Sequence, residues 1–191
     1  MKVRPLALPE VLLVSPRVFR DDRGHFFESW NDERYTLSGM ASPWVQDNTS
    51  VSKRGVLRGL HFQNPGGQGK LVTVLSGAVF DVAVDIRQGS PRFGQWVGVT
   101  LDGEHHEQLF VPPGFAHGFV ALSETVVFSY KCTTAYNPAT ELSIRWDDPE
   151  IGIQWPEEHP SLAPKDATAP FLRDIPRERL PLYAATADHG G

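Results

Sequence analysis

The chain has 191 residues, 40% of them hydrophobic, a single cysteine and a formal charge of −5 at pH 7. That length and apolar content suit one buried core. The lone Cys132 excludes an intramolecular disulfide framework, and the acidic balance excludes the broad basic face that a nucleic-acid coat needs. A small anion is still compatible, because a few cations converging on one pocket can hold it. Seventeen glycines and sixteen prolines suit many short strands joined by turns better than helices. No apolar run reaches membrane-spanning length, and residues 1–5 lack the apolar stretch of a leader peptide. The expectation is a soluble cytoplasmic protein with no membrane partner.

In chain order, residues 11–14 (Val-Leu-Leu-Val) predict a first strand. Asp21-Asp22-Arg23-Gly24 is turn chemistry, and residues 25–30 read as the next strand. A short helix is expected from Asn31 or Asp32, with Gly39 near its end and little other helix elsewhere. From residue 44 onward β-rich runs are punctuated by Gly, Pro and Asp: 70–75, 78–86, 96–101, 108–111, 115–122, 125–132 and 141–146. In 78–86, Phe80, Val82 and Val84 alternate with Asp81, Ala83 and Asp85. Strands recurring every eight to twelve residues point to an all-β sandwich or barrel of jelly-roll type. After Trp146, prolines at 149, 156, 160, 164 and 170 rule out central sheet and predict a wrapping arm with one helical turn. One domain over 1–183 is expected, and 184–191 is expected to be a frayed tail.

Chemistry is expected around Arg58-Gly59-Leu60-His61-Phe62-Gln63 and Gly69-Lys70-Leu71-Val72, where three basic side chains fall in an apolar, strand-like region. His61 is either a hydrogen-bonded core histidine or a base. Lys70 shares a strand face with Val72 and Val74, so its ammonium either meets something anionic inside or reaches solvent at the strand end. In a flat strand Arg58 and His61 point to opposite faces, and they share a cavity only if the backbone bends or bulges near Gly59. Tyr130 follows Val126 and Phe128 at period two and points to the interior, either as a core aromatic or as a functional hydroxyl. His117 follows a Pro-Pro-Gly turn. A metal-binding cupin shows His-x-His with a nearby Glu, whereas Gln63 stands two after His61. His105-His106, beside Asp102-Gly103, read as an exposed turn, and no metal is expected.

Eight segments together resemble the dTDP-4-dehydrorhamnose 3,5-epimerase family. They are Arg23-Gly24-His25-Phe26-Phe27-Glu28, Gln46-Asp47-Asn48, residues 55–63, Gly69-Lys70-Leu71-Val72, residues 79–87, Ser90-Pro91-Arg92-Phe93-Gly94, residues 112–119 and residues 144–149. The likeness is colinear from about residue 3 to residue 175. It implies a cupin-type jelly roll working as a homodimer, without metal or redox cofactor. The implied reaction inverts C3 and C5 of dTDP-4-dehydro-6-deoxy-D-glucose to give dTDP-4-dehydro-L-rhamnose, on the way to dTDP-L-rhamnose and polysaccharide.

By the same resemblance His61 is the base, Tyr130 the opposing acid, Asp166 the carboxylate that orients His61, and Lys70 and Arg58 line the ketone side with His117 nearby. Arg23, Glu28, Gln46, Asp47, Asn48, Glu141 and Lys165 match substrate-binding positions, and Tyr136 would stack on thymine. Leu162-Ala163-Pro164-Lys165-Asp166 departs from the family's Leu-Ser-x-Lys-Asp pattern, lacking its serine and adding a proline. Three competing readings remain: a mono-epimerase acting at C3 or C5 alone, a metal-dependent cupin, and a non-catalytic sugar-nucleotide binder.

Overall fold

Alternating β-branched and aromatic residues between turn-forming Gly, Pro and Asp leave the backbone few options besides short antiparallel strands. In the computed structural model, which describes residues 1–40 and 43–183, these runs form two layers. The strands are β1 (Lys2–Pro5), β2 (Leu12–Ser15), β3 (Val18–Asp21), β4 (Gly24–Phe27), β5 (Gln46–Lys53), β6 (Val56–Gln63), β7 (Lys70–Ser76), β8 (Ala78–Asp85), β9 (Trp96–Asp102), β10 (Gln108–Val111), β11 (Phe115–Ala121), β12 (Thr125–Cys132), β13 (Glu141–Ser143) and β14 (Ser161–Leu162). One sheet runs β1-β2-β10-β7-β12-β5. The other runs β13-β6-β11-β8-β9, with β14 beside β6. Apart from the parallel β14–β6 pair, the ladders are antiparallel. The result is an all-β, cupin-type jelly roll.

Between the sheets lie Val72, Val74, Val79, Ala83, Phe119 and Phe128, all buried. The opposite face of the second sheet is equally dry. Leu60, Val82, Val84 and Ile86 pack there against Ile151, Leu172, Ile175 and Leu180 from the proline-punctuated arm. Because the arm covers that face, both sets of alternating side chains on β8 are buried, including Asp81 and Asp85. Among the described residues helix is confined to α1 (Asp32–Leu37), α2 (Pro164–Ala167) and two short 3-10 turns. Asn31 caps α1 by accepting from the Arg34 N–H at 3.1 Å, and the helix buries Tyr35. Cys132 is a buried free thiol.

Some details differ from the sequence expectation. Strands β1 and β3 occur in proline-flanked segments where local pattern gave no signal, and β3–β4 stands apart as its own hairpin with Phe19 and Phe26 exposed. The run 141–146 ends as a strand at Ser143, although Ile144 still exchanges two backbone hydrogen bonds with Leu60. His105 is exposed and bonds Asp102, but His106 is buried, not exposed. Its φ of +57° turns the ring back beneath the hairpin, where it packs 4.3–4.4 Å from the rings of Phe27 and His25. No helix among the described residues is long and apolar enough to cross a membrane. The tail 184–191 lies outside the described residues.

Candidate active site

The facing conflict between Arg58 and His61 is resolved by a bulge in β6. On β11, His117 pairs with His61 and Phe119 with Arg58, so three steps of β6 oppose two of β11. Gly59, at φ +142°, carries the extra residue. A Cβ there would sit 2.5 Å from the Gly118 Cα, so glycine is needed for the two strands to approach this closely. With the register shifted, Arg58 and His61 line the same cavity of about 460 Å³. That volume suits a small organic ligand.

The cavity has two chemically different walls. β6 and β11 supply Arg58, His61 and His117, and β13 adds Glu141. The facing sheet supplies Lys70 from β7 and Tyr130 from β12. Lys165 and Asp166 enter from α2, and Tyr136 stands half exposed at the rim. The His61 Nε2 lies 2.7 Å from the buried Asp166 Oδ1, bridging 105 positions of sequence. An ionised carboxylate only accepts, so the pair puts the proton on Nε2 and leaves Nδ1 as a lone-pair nitrogen. Pro164 occupies the first turn of α2, where its missing N–H costs nothing, and Ala163 at the cap offers no side-chain bond. The departure from the serine-bearing pattern therefore still delivers Asp166.

Lys70 is buried, and burial pushes its ammonium below the ordinary lysine range, with Glu141 and Asp81 among the negative groups that partly offset this. Burial pushes Tyr130 up, against the opposing pull of Arg58, so its phenol keeps its proton at neutral pH. Tyr136 donates to Glu141 at 3.1 Å, and Lys165 holds the same carboxylate oxygen at 3.0 Å. Arg58 donates to the Ser52 hydroxyl at 3.1 Å. Such an arrangement can take a proton on one wall, give one on the other, and hold negative charge between them.

Several residues predicted for binding lie outside this cavity. Arg23 is on the exposed β3–β4 hairpin, paired with Asp21 at 2.6 Å, and Glu28 lines a separate groove of about 580 Å³, paired with Arg34. Asp47 points to the outer face of its sheet and bonds Lys131 at 2.9 Å. Gln46 and Asn48 buttress the rim: Gln46 accepts from the Tyr136 N–H and donates to Asn48, which donates to the Cys132 sulfur. Sequence reading missed Asp81, which lies 2.9 Å from His117, as well as the cavity-facing Ser50 and Ser161. An acidic residue alternating within a buried strand was the only signal for Asp81. No cluster of His, Cys, Asp and Glu that could hold a metal occurs among the described residues.

Fold and site together define a jelly-roll barrel with an acid–base pocket that suits a small organic ligand. The family model described as dTDP-4-dehydrorhamnose 3,5-epimerase matches residues 5–174. The chain belongs to the dTDP-4-dehydrorhamnose 3,5-epimerase family, a family of isomerases. A relative of that name from Salmonella typhimurium is 55% identical over 175 residues, covering 90% of this chain and 96% of its own length. One from Pseudomonas aeruginosa is 54% identical over 176 residues, covering 91% and 97%. The crystal structure of a dTDP-6-deoxy-D-glucose-3,5-epimerase from Legionella pneumophila, in complex with dTDP-4-keto-L-rhamnose, superposes with a TM-score of 0.94 at 51% identity. It covers 96% of this chain and 99% of that one.

Proposed function

We propose that this chain converts dTDP-4-dehydro-6-deoxy-D-glucose to dTDP-4-dehydro-L-rhamnose, as a cytoplasmic homodimer in dTDP-L-rhamnose biosynthesis. The observation that carries the reading is the His61–Asp166 pair on one wall, facing a protonated Tyr130 across a single cavity. The protons at C3 and C5 flank the C4 ketone, so removing either gives an enolate spread onto the ketone oxygen. His61 takes each proton on Nδ1, while Asp166 holds Nε2–H and offsets the imidazolium that forms. Lys70, already stripped of water, and Arg58 stabilise the oxyanion without solvent reorganisation. Tyr130 returns a proton from the opposite face at C5, and that change of face is the inversion. At C3 a solvent proton enters from the face opposite His61, and since only protons leave and return at the two carbons, no hydride acceptor is assigned.

Lys165 at the rim is placed toward the diphosphate, and Tyr136 beside it offers its ring to thymine. Arg23 and Glu28 line other grooves than the cavity of His61 and Tyr130, so in this reading they act across the dimer. Mixing Arg23→Ala with His61→Ala chains would then restore partial activity, since a mixed dimer holds one intact site. The decisive experiment is incubation with the dTDP-sugar in heavy water followed by NMR. Deuterium at both C3 and C5 supports the proposal, deuterium at one carbon supports a mono-epimerase, and deuterium at neither refutes it. Tight binding without exchange would revive the non-catalytic binder.

A further inference from the structure

A second histidine–carboxylate pair stands beside the first. His117 and His61 are register partners on adjacent strands, and both line the cavity. Each presents Nε2 to a buried carboxylate: His61 to Asp166 at 2.7 Å and His117 to Asp81 at 2.9 Å. Asp81 is fully buried on the barrel-facing side of β8, between Val79 and Ala83, which belong to the apolar core. Its second oxygen has no hydrogen-bond partner among the described residues. A carboxylate held half-paired in a dry core is a poor stabilising device, because an apolar residue of similar size would cost the fold less. Besides its charge toward Lys70, its direct contact is with His117. An ionised Asp81 accepts from Nε2–H, so the neutral ring of His117 must carry its lone pair on Nδ1, the remaining nitrogen.

The cavity wall is rich in donors. Asp166 Oδ1 is engaged by His61, and Glu141 Oε2 by Tyr136 and Lys165, while Arg58, Lys70 and Lys165 can only donate. Beyond the hydroxyls, which can serve either way, and the second oxygens of those carboxylates, the nitrogen lone pairs on offer are Nδ1 of His61 and Nδ1 of His117. The first is committed to C–H protons in the proposed reaction. We propose that Asp81 is a positioning residue that locks His117 in the Nε2–H tautomer, so that Nδ1 accepts a hydroxyl of the sugar ring beside the carbon that His61 deprotonates. The hydroxyl half of this inference rests on the proposed epimerase function; the tautomer half does not.

Nitrogen-15 NMR of histidine-labelled protein reads the tautomer without substrate, with the His117 signals assigned by their loss in His117→Gln. The wild-type ring is expected to carry its proton on Nε2. Asp81→Leu removes the acceptor and keeps the branched skeleton in a larger side chain. It is expected to lose the tautomer preference and raise KM for the dTDP-sugar about 10-fold with kcat changed far less. Asp81→Asn keeps an accepting oxygen and is expected to retain most of the tautomer preference and of KM. A wild-type His117 protonated on Nδ1 overturns the proposal even if no variant folds, as does an Asp81→Leu variant with wild-type KM. A merely structural Asp81 would lower the melting temperature and leave KM alone. Failure of the wild-type chain to turn over the sugar instead overturns the functional reading, and that control separates the two.

Discussion

Replacing Gly59 with alanine strikes the point where fold and chemistry meet. The new Cβ would stand 2.5 Å from the Gly118 Cα and 3.1 Å from the His117 carbonyl oxygen, where ordinary contact begins at 3.4 Å. Both neighbours are backbone, so β6 and β11 must part by ~0.9 Å, the shortfall at the closer contact. The residue would also be held at φ +142°, a region that L side chains rarely adopt. Overpacking and backbone strain together cost about 4 kcal/mol. At this chain length that lowers the melting temperature by roughly 10 °C. The displacement falls next to His61 and opposite His117, and moving a proton-transfer group by about 1 Å lowers turnover by roughly 100-fold. Circular dichroism melting reads the first effect, and deuterium exchange at C3 and C5, measured where the variant is still folded, reads the second. A Gly59→Ala chain with wild-type melting and wild-type exchange would refute the argument that this close approach places the base.

Further outcomes test the remaining assignments. His61→Ala is expected to abolish solvent exchange at both carbons, and normal turnover would remove it as the base. With Tyr130→Phe, exchange should continue while inversion at C5 falls at least 100-fold; unchanged inversion would exclude Tyr130 as the acid. Ala163→Ser supplies the missing cap of α2 and is expected to stabilise the chain by about 0.5–1 kcal/mol in urea unfolding, with activity retained. Lys70 gives a pH signature. Its folded pKa lies below its unfolded value, so between the two the unfolded chain binds the extra proton and stability rises with pH. Lys70→Met should flatten that alkaline rise and lose activity, and an unaltered stability–pH curve would count against a buried ammonium.

Much of the fold could be read locally. The β-rich runs between turn residues foretell most of the strands that form the two sheets, and Asn31 foretells the cap of α1. The run of prolines after Trp146 foretells an arm that wraps the sheet. For the site, Tyr130 follows the same period as Val126 and Phe128, and Lys70 that of Val72 and Val74, so their inward direction was legible as well. Motif resemblance went further and named His61, Asp166 and Tyr130 together, although 105 positions separate the first two.

What the sequence by itself determined is therefore the class of fold, the strand periods and the presence of titratable and cationic side chains in apolar strands, whose acid and base roles came only from the resemblance. Each follows from propensities and side-chain chemistry acting within a few residues. Tertiary structure decided which faces are covered and, outside the set that motif resemblance had joined, which distant groups meet. The arm seals the outer face of β8, so alternation along that strand could not reveal that Asp81 belongs to the barrel interior. The Gly59 bulge brings Arg58 and His61 to one cavity against the flat-strand rule, because the close approach of β11 at Gly118 is a property of the pair of strands. The β3–β4 hairpin carries Arg23, and Glu28 just after it, away from the cavity of His61 and Tyr130, since that placement depends on packing against the turn at His106 rather than on any signal within residues 18–28.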